Sequence, residues 1–140
     1  MNFIENESEQ KLRGGYYTPE DLATYIAKWI AKSSPEHVLE PSCGDGIFIK
    51  AFHNIGNTEA LHFHGFELFD DEADKAKKRA SQLKIKSTIK CADFLDHAIK
   101  LMATGKAEFD AVVGNPHLFA INICLRNPKK NLRLFSKASI

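Results

Sequence analysis

Apolar and polar positions along the chain switch repeatedly between helical and strand-like spacing. In "YYTPEDLATYIAKWIAK", Leu22, Ile26, Trp29 and Ile30 recur at helical intervals, which predicts an amphipathic helix with that face turned inward. Its start is marked chemically. Thr18 suits the N-cap, Pro19 the first helical position, and Glu20 and Asp21 place negative charge where the helix dipole favours it. "HVLEPSCGDG" follows as a short apolar strand running into a turn of small residues, and "IFIKAFHNI" returns to helical spacing through Phe48, Ala51, Phe52 and Ile55. "ALHFHGFEL" reads as a second strand, and the charged "DEADKAKKRASQL" as a surface helix. "STIKCADFL" reads as a third strand, "DHAIKLMATG" as a helix closed by Gly105, and "FDAVVGN" as a fourth strand. This alternation predicts an α/β fold, a mostly parallel sheet with helices on both faces.

Such sheets bind ligands at the carboxyl ends of their strands, near the point where the strand order reverses. The four predicted strands end in Glu40-Pro41, Glu67, Asp93-Phe94 and Asn115-Pro116, so a polar or acidic residue stands at every one. The turn "EPSCGDG" opens a helix and carries Gly44 and Gly46, which permit close backbone approach to a ligand. It lacks the GxGxxG dinucleotide pattern, and Glu40 and Asp45 would repel a pyrophosphate. A ligand with positive character and a single carboxylate suits it better. Glu67 occupies the position where an acidic residue commonly takes ribose hydroxyls. Asp93 offers an acceptor for an exocyclic amine, and Phe94 a ring for stacking on a purine. The implied ligand is an adenosine joined to a cationic amino acid. Any one of these acids alone reads more simply as a solvated strand end, and Phe94 as core; their joint placement argues for a shared site.

Composition narrows the class. With 44% hydrophobic and 26% charged residues the chain is an ordinary globular one, and 140 residues suffice for one core. No apolar run approaches the roughly 20 residues of a membrane span, and "MNFIENESEQ" lacks the apolar centre of a signal peptide. A cytoplasmic location without membrane attachment is expected. Cys43, Cys91 and Cys124 form no CxxC pair, which argues against a disulfide framework or a structural zinc site. Cys43 reads as a small residue lining the turn, since no histidine base accompanies it. His62 and His64 alternate along a strand, but without a third ligand at suitable spacing they read as structural or exposed, and no metal site is expected.

Five stretches taken together resemble a known family. "RGGYYTP" at 13–19, "VLEPSCGDGIF" at 38–48, "GFEL" at 65–68, "CADFLD" at 91–96 and "FDAVVGNP" at 109–116 stand in the order found in the N6-adenine DNA methyltransferases of restriction-modification systems. The resemblance implies an incomplete Rossmann-like methyltransferase fold that uses S-adenosyl-L-methionine, with residues 1–116 as the amino-terminal part of the catalytic domain. It also implies roles. Tyr17 and Thr18 would touch the methionine part of the cofactor, and Glu40, Pro41, Ser42, Cys43 and Gly44 would surround its amino acid and sulfonium. Glu67 would take the ribose, and Asp93 and Phe94 the adenine. Asn115 and the carbonyl of Pro116 would accept hydrogen bonds from the target amino group, making its nitrogen nucleophilic, on a base flipped out of double-stranded DNA.

The pattern breaks after Pro116. Where the family has Asn-Pro-Pro and an aromatic residue, this chain has "NPHL". Residues 117–140 hold five basic residues and no Asp or Glu; without them the first 116 carry 14 basic against 18 acidic residues, a net of −4. One nucleotide inserted after the Pro116 codon can, with permitted codons, restore N-P-P-F-I-R-Y-Q. Residues 117–140 are therefore expected to be an out-of-frame or disordered basic tail, and this chain to transfer little or no methyl. Two other readings stand beside this one: part of a methyltransferase acting on protein glutamine amides, and a non-catalytic cofactor- or nucleic-acid-binding module whose basic tail contacts phosphates.

Overall fold

The computed structural model describes residues 17–56 and 58–115; Pro116 and the basic segment 117–140 lie outside the described residues. Among the described residues four helices and four strands alternate: α1 (Glu20–Ala31), β1 (His37–Glu40), α2 (Ile47–Ile55), β2 (His62–Glu67), α3 (Asp70–Gln82), β3 (Ser87–Cys91), α4 (Phe94–Thr104) and β4 (Ala111–Val112). The strands form one sheet in the order β3-β2-β1-β4, and every pairing is parallel. The order reverses between β1 and β4, so their carboxyl ends flank a switch point.

Each face of the sheet has its own core. Val38, Phe63, Ala111 and Val113 pack with residues of α1, α2 and α3, while Leu39, Phe66 and Phe109 pack with Phe94, Ala98 and Leu101 of α4. The alternation of Val38 against Leu39 and Phe63 against Phe66 follows from the two-residue period of a strand covered on both sides. β4 is short but pinned. Its preceding Asp110 accepts hydrogen bonds through Oδ2 from the backbone N–H of Glu36 and His37, each at 3.0 Å. The Asp110 and Val113 amides donate to the carbonyls of His37 and Leu39.

Several boundaries differ from the sequence expectation. α1 begins at Glu20 with Pro19 at the cap, and no side chain caps it; Thr18 is instead buried. The buried centre of α1 is Ala23, Ala27 and Ile30, with Ile26 and Trp29 only partly covered. Small residues sit where α1 meets the sheet and α2, and the larger ones flank that contact. The same holds for α3, which buries Ala73, Ala76 and Ala80. The third strand stops at Cys91, and Asp93 caps α4, its Oδ1 accepting from the Leu95 amide at 2.9 Å. Gly105 closes that helix with φ of 63°, as expected. On the outer face of α4, Leu95, Ile99 and Met102 are exposed. Among the described residues, no helix is long and apolar enough to cross a membrane.

Gly46 fixes how the first turn enters α2. Its φ is +83°, and a Cβ there would stand 3.2 Å from the Ala76 Cα of α3. Gly46→Ala therefore combines a left-handed backbone with overpacking against main chain. The expected loss is about 2–3 kcal/mol of stability, checked by the denaturant midpoint; Gly56→Ala, where nothing lies within 4 Å, carries backbone strain alone and costs less.

Candidate functional site

Hydrogen bonds across the strand ends draw the predicted residues together. The Cys43 amide donates to the Phe66 carbonyl at 2.8 Å, the Ala92 amide to the Glu67 carbonyl at 2.9 Å, and the Val113 amide to the Leu39 carbonyl at 2.8 Å. Ala92 and Val113 directly follow β3 and β4 and Cys43 lies three residues past β1, so these bonds bring the loops leaving the strands together along one edge. By register, Val113 lies level with Glu40, since Leu39 pairs with Val112. Asn115 therefore stands two residues beyond Glu40 at the switch point.

Glu67 is the organising acid. Its Oε2 accepts from the Gly44 amide at 2.9 Å, and its Oε1 from the amides of Leu68 at 2.8 Å and Phe69 at 3.1 Å. Three donors compensate its burial, at 9% exposure, and tie the Gly44 turn to the end of β2. Gly44 has φ of +49°, and a Cβ added to it would meet nothing within 4 Å. The turn thus presents open backbone. Pro41 is half-buried and Ser42 exposed on the same turn.

Glu40 is the contrasting case. It is 3% exposed, and its Oε2 has no hydrogen-bond partner among the described residues. Burial, and then the neighbouring carboxylates of Asp45 and Glu67, raise its carboxyl well above the ordinary range. An ionised group in such a place is costly unless a cation joins it. Asp45 has its own cation: Arg79 of α3 donates to its Oδ2 at 2.9 Å. This pair spans 34 residues and was invisible in the local sequence, where Asp45 counted only as a second negative charge. Among the described residues Arg79 answers Asp45, and no cation answers Glu40.

The other expected residues are placed as follows. Tyr17 donates its phenol to both carboxylate oxygens of Glu72 on α3, at 3.2 and 3.1 Å. Partial burial and then the charge of Glu72 raise its pKa, with Asp45 adding a smaller effect. Thr18 is buried next to it. The Cys43 thiol lies under the turn, and a Cβ on Gly65 would come within 2.8 Å of its Sγ. Burial, followed by Glu40 and Glu67, pushes the thiol up, which suits a packing residue and not a nucleophile. Asp93 is exposed. Phe94 is 4% exposed, its ring edge-on to Phe66 at 5.1 Å; exposed apolar side chains just past β2 and at the start of α4 are Leu68, Phe69 and Leu95. Asn115 is half-buried, and Pro116 lies outside the described residues.

A donor-poor buried acid, an open glycine turn and a backbone-fixed second acid thus lie along one edge of the sheet. Comparison with known proteins gives the family and the fold. The family model described as N-6 DNA Methylase matches residues 2–135. The type II methyltransferase M.NspV of Nostoc sp. is 33% identical over 95 residues, covering 65% of this chain and 20% of that protein. M.HincII of Haemophilus influenzae is 22% identical over 111 residues, covering 79% and 18%. The chain thus spans about a fifth of the length of the curated relatives it matches. Among solved structures, a type I restriction-modification methyltransferase subunit from Streptococcus thermophilus superposes with a TM-score of 0.58 at 19% identity, over 72% of this chain and 23% of that one. An O-methyltransferase from Bacillus cereus in complex with SAH gives 0.59 at 12% identity, over 80% and 51%. These superpositions establish a Rossmann-like methyltransferase fold.

Proposed function

The chain belongs to the N-6 DNA methylase family, and on that footing we propose that it is the cofactor-binding part of an enzyme that methylates N6 of adenine in DNA with S-adenosyl-L-methionine. The observation that carries the cofactor is the orphaned Oε2 of buried Glu40, a place for the ammonium end of the ligand. The open Gly44 turn takes the remainder of the amino acid, with Pro41, Ser42 and Cys43 as its wall and Tyr17 and Thr18 on its outer side. Glu67 serves the ribose hydroxyls while its backbone donors hold it in place. Asp93 accepts from the adenine amine, and Phe94 anchors that loop from the core. When bound, the cofactor supplies an electrophilic methyl group.

Asn115, delivered by β4 to the switch point, accepts a hydrogen bond from the target amino group, and the Pro116 carbonyl is its partner in that role. Both acceptors raise electron density on a nitrogen that is otherwise a poor nucleophile. The substrate is double-stranded DNA with the target adenine flipped out, because a stacked base does not reach such a site.

The 140-residue polypeptide alone is expected to retain cofactor without transferring methyl groups. Incubation with methyl-labelled cofactor and mixed-sequence DNA tests this: label should stay exchangeable on the protein and be absent from DNA. Stable label on N6 of adenine would overturn the inactivity, and stable label on glutamine amides of added protein would favour the amide-methylating reading. We propose further that residues 117–140 are translated out of frame. The family match runs on to residue 135, which weighs against this reading, and the nucleotide sequence around the Pro116 codon is the deciding observation; codons incompatible with the restored N-P-P-F would end the idea.

A further inference from the structure

Three histidines meet on the sheet at the edge opposite the candidate site. His37 opens β1 and His62 opens β2, and the parallel register pairs them directly. His64, two residues on, shares the face of His62 because strand side chains alternate. Each ring offers one nitrogen, and these nitrogens lie within 4.8 Å of one another. His37 Nδ1 and His64 Nε2 share a hydrogen bond at 3.0 Å, a spacing close to the roughly 3.3 Å that separates two ligands of a tetrahedral ion with metal–nitrogen bonds of about 2.0–2.1 Å, so an ion would replace the shared proton. The Thr88 hydroxyl on β3 holds His62 at 2.8 Å, and Phe109 lies against the ring of His64 at 5.1 Å. All three rings are half-buried, hence both oriented and reachable. The local sequence supplied only His62 and His64; the third ligand comes from a neighbouring strand 25 residues away from His62 by number, where no spacing rule finds it.

We propose that His37, His62 and His64 bind one divalent transition-metal ion of the zinc class, with water completing its coordination. Three imidazoles without a carboxylate suit zinc, copper or nickel and not the oxygen-seeking calcium or magnesium. His37 and His62 stand roughly 10 Å along the strands from the level of Glu40, at about 3.3 Å per residue; His64 pairs with Leu39, one residue before Glu40 but on the opposite face of the sheet, so the ion clips β1 to β2 without entering the site for the cofactor. The inference does not depend on the methyltransferase reading.

Tag-free, metal-free 140-residue chain titrated with Co(II) tests it. One equivalent should give the visible bands of tetrahedral nitrogen-ligated cobalt, with no thiolate charge-transfer band, and zinc should displace it and raise the melting temperature. His62→Gln or His64→Gln should weaken binding by more than the roughly 10- to 100-fold typical of losing an outer-shell partner. His53→Ala, on α2 and outside the trio, should leave it unchanged. A folded wild-type chain showing no saturable cobalt spectrum, a thiolate band, or undiminished binding in the two glutamine variants would each overturn the proposal; the wild-type spectrum decides even if a variant fails to fold.

Discussion

Glu40→Gln is expected to make the protein more stable and to weaken its hold on the cofactor strongly. The glutamine keeps the shape of the side chain and removes a charge that no donor among the described residues serves on Oε2. Relieving an unpaired buried group is worth about 1–3 kcal/mol, and each kcal/mol moves the melting temperature by roughly 4–8 °C in a domain of this size. The gain depends on pH in a definite sense. Glu40 has a folded pKa above its ordinary value of 4.5. In the wild type its contribution to stability is therefore fully present below that value and is lost as pH rises through the raised one. Wild type and variant should melt alike near pH 4, and the variant should gain as pH increases. Cofactor affinity should follow the opposite course. An ammonium group beside Glu40 favours its ionised form, so binding releases a proton and strengthens as pH rises across the same window. Loss of that charge should cost roughly 30-fold or more in affinity, as truncation of one partner in a buried charge pair does. Melting curves and calorimetric titrations at several pH values read both effects.

Glu67→Ala is expected to do the reverse to stability. Here the carboxylate already serves three backbone donors, and its removal leaves the Gly44, Leu68 and Phe69 amides without that partner. Hydrogen bonds to a charged group contribute about 1.5–3 kcal/mol each; with solvent reaching part of the vacated space, a total loss of about 3–4 kcal/mol is expected. The Gly44 turn should also loosen from β2, which faster amide exchange at Gly44 would report. Two buried acids on one sheet face thus carry opposite signs, because one is satisfied by the protein and the other awaits a ligand. Equal destabilisation by both substitutions would contradict that distinction.

The elements of this fold were legible because local physics specifies them. Apolar spacing marks α2 over its full length, and the turn residues around Gly44, Gly46 and Gly105 act through their own backbone. Less was legible where distant segments decide the outcome. The two-residue β4 is held by Asp110 reaching back to the start of β1, and no local propensity announces that bond. The alanine faces of α1 and α3 are read from sequence as weak hydrophobic signal, although close packing makes them the buried ones. Phe94 reads from sequence either as a ring for an adenine or as core, and the helix that Asp93 caps packs it among core residues. Arg79 on Asp45 and His37 beside His62 both arise from strand and helix adjacency. The acids at the strand ends, by contrast, were found from sequence because a parallel sheet gathers its carboxyl ends whatever the strand order.

The central claim is that the carboxyl edge of this sheet binds S-adenosyl-L-methionine through the charge of Glu40. Isothermal titration of the folded 140-residue chain with that cofactor tests it most directly. One-to-one saturable binding, competed by S-adenosylhomocysteine but not by NAD and strongly weakened in Glu40→Gln, is the predicted result. A folded wild-type chain that binds no cofactor, or a Glu40→Gln variant that binds it as tightly as wild type, would contradict the account.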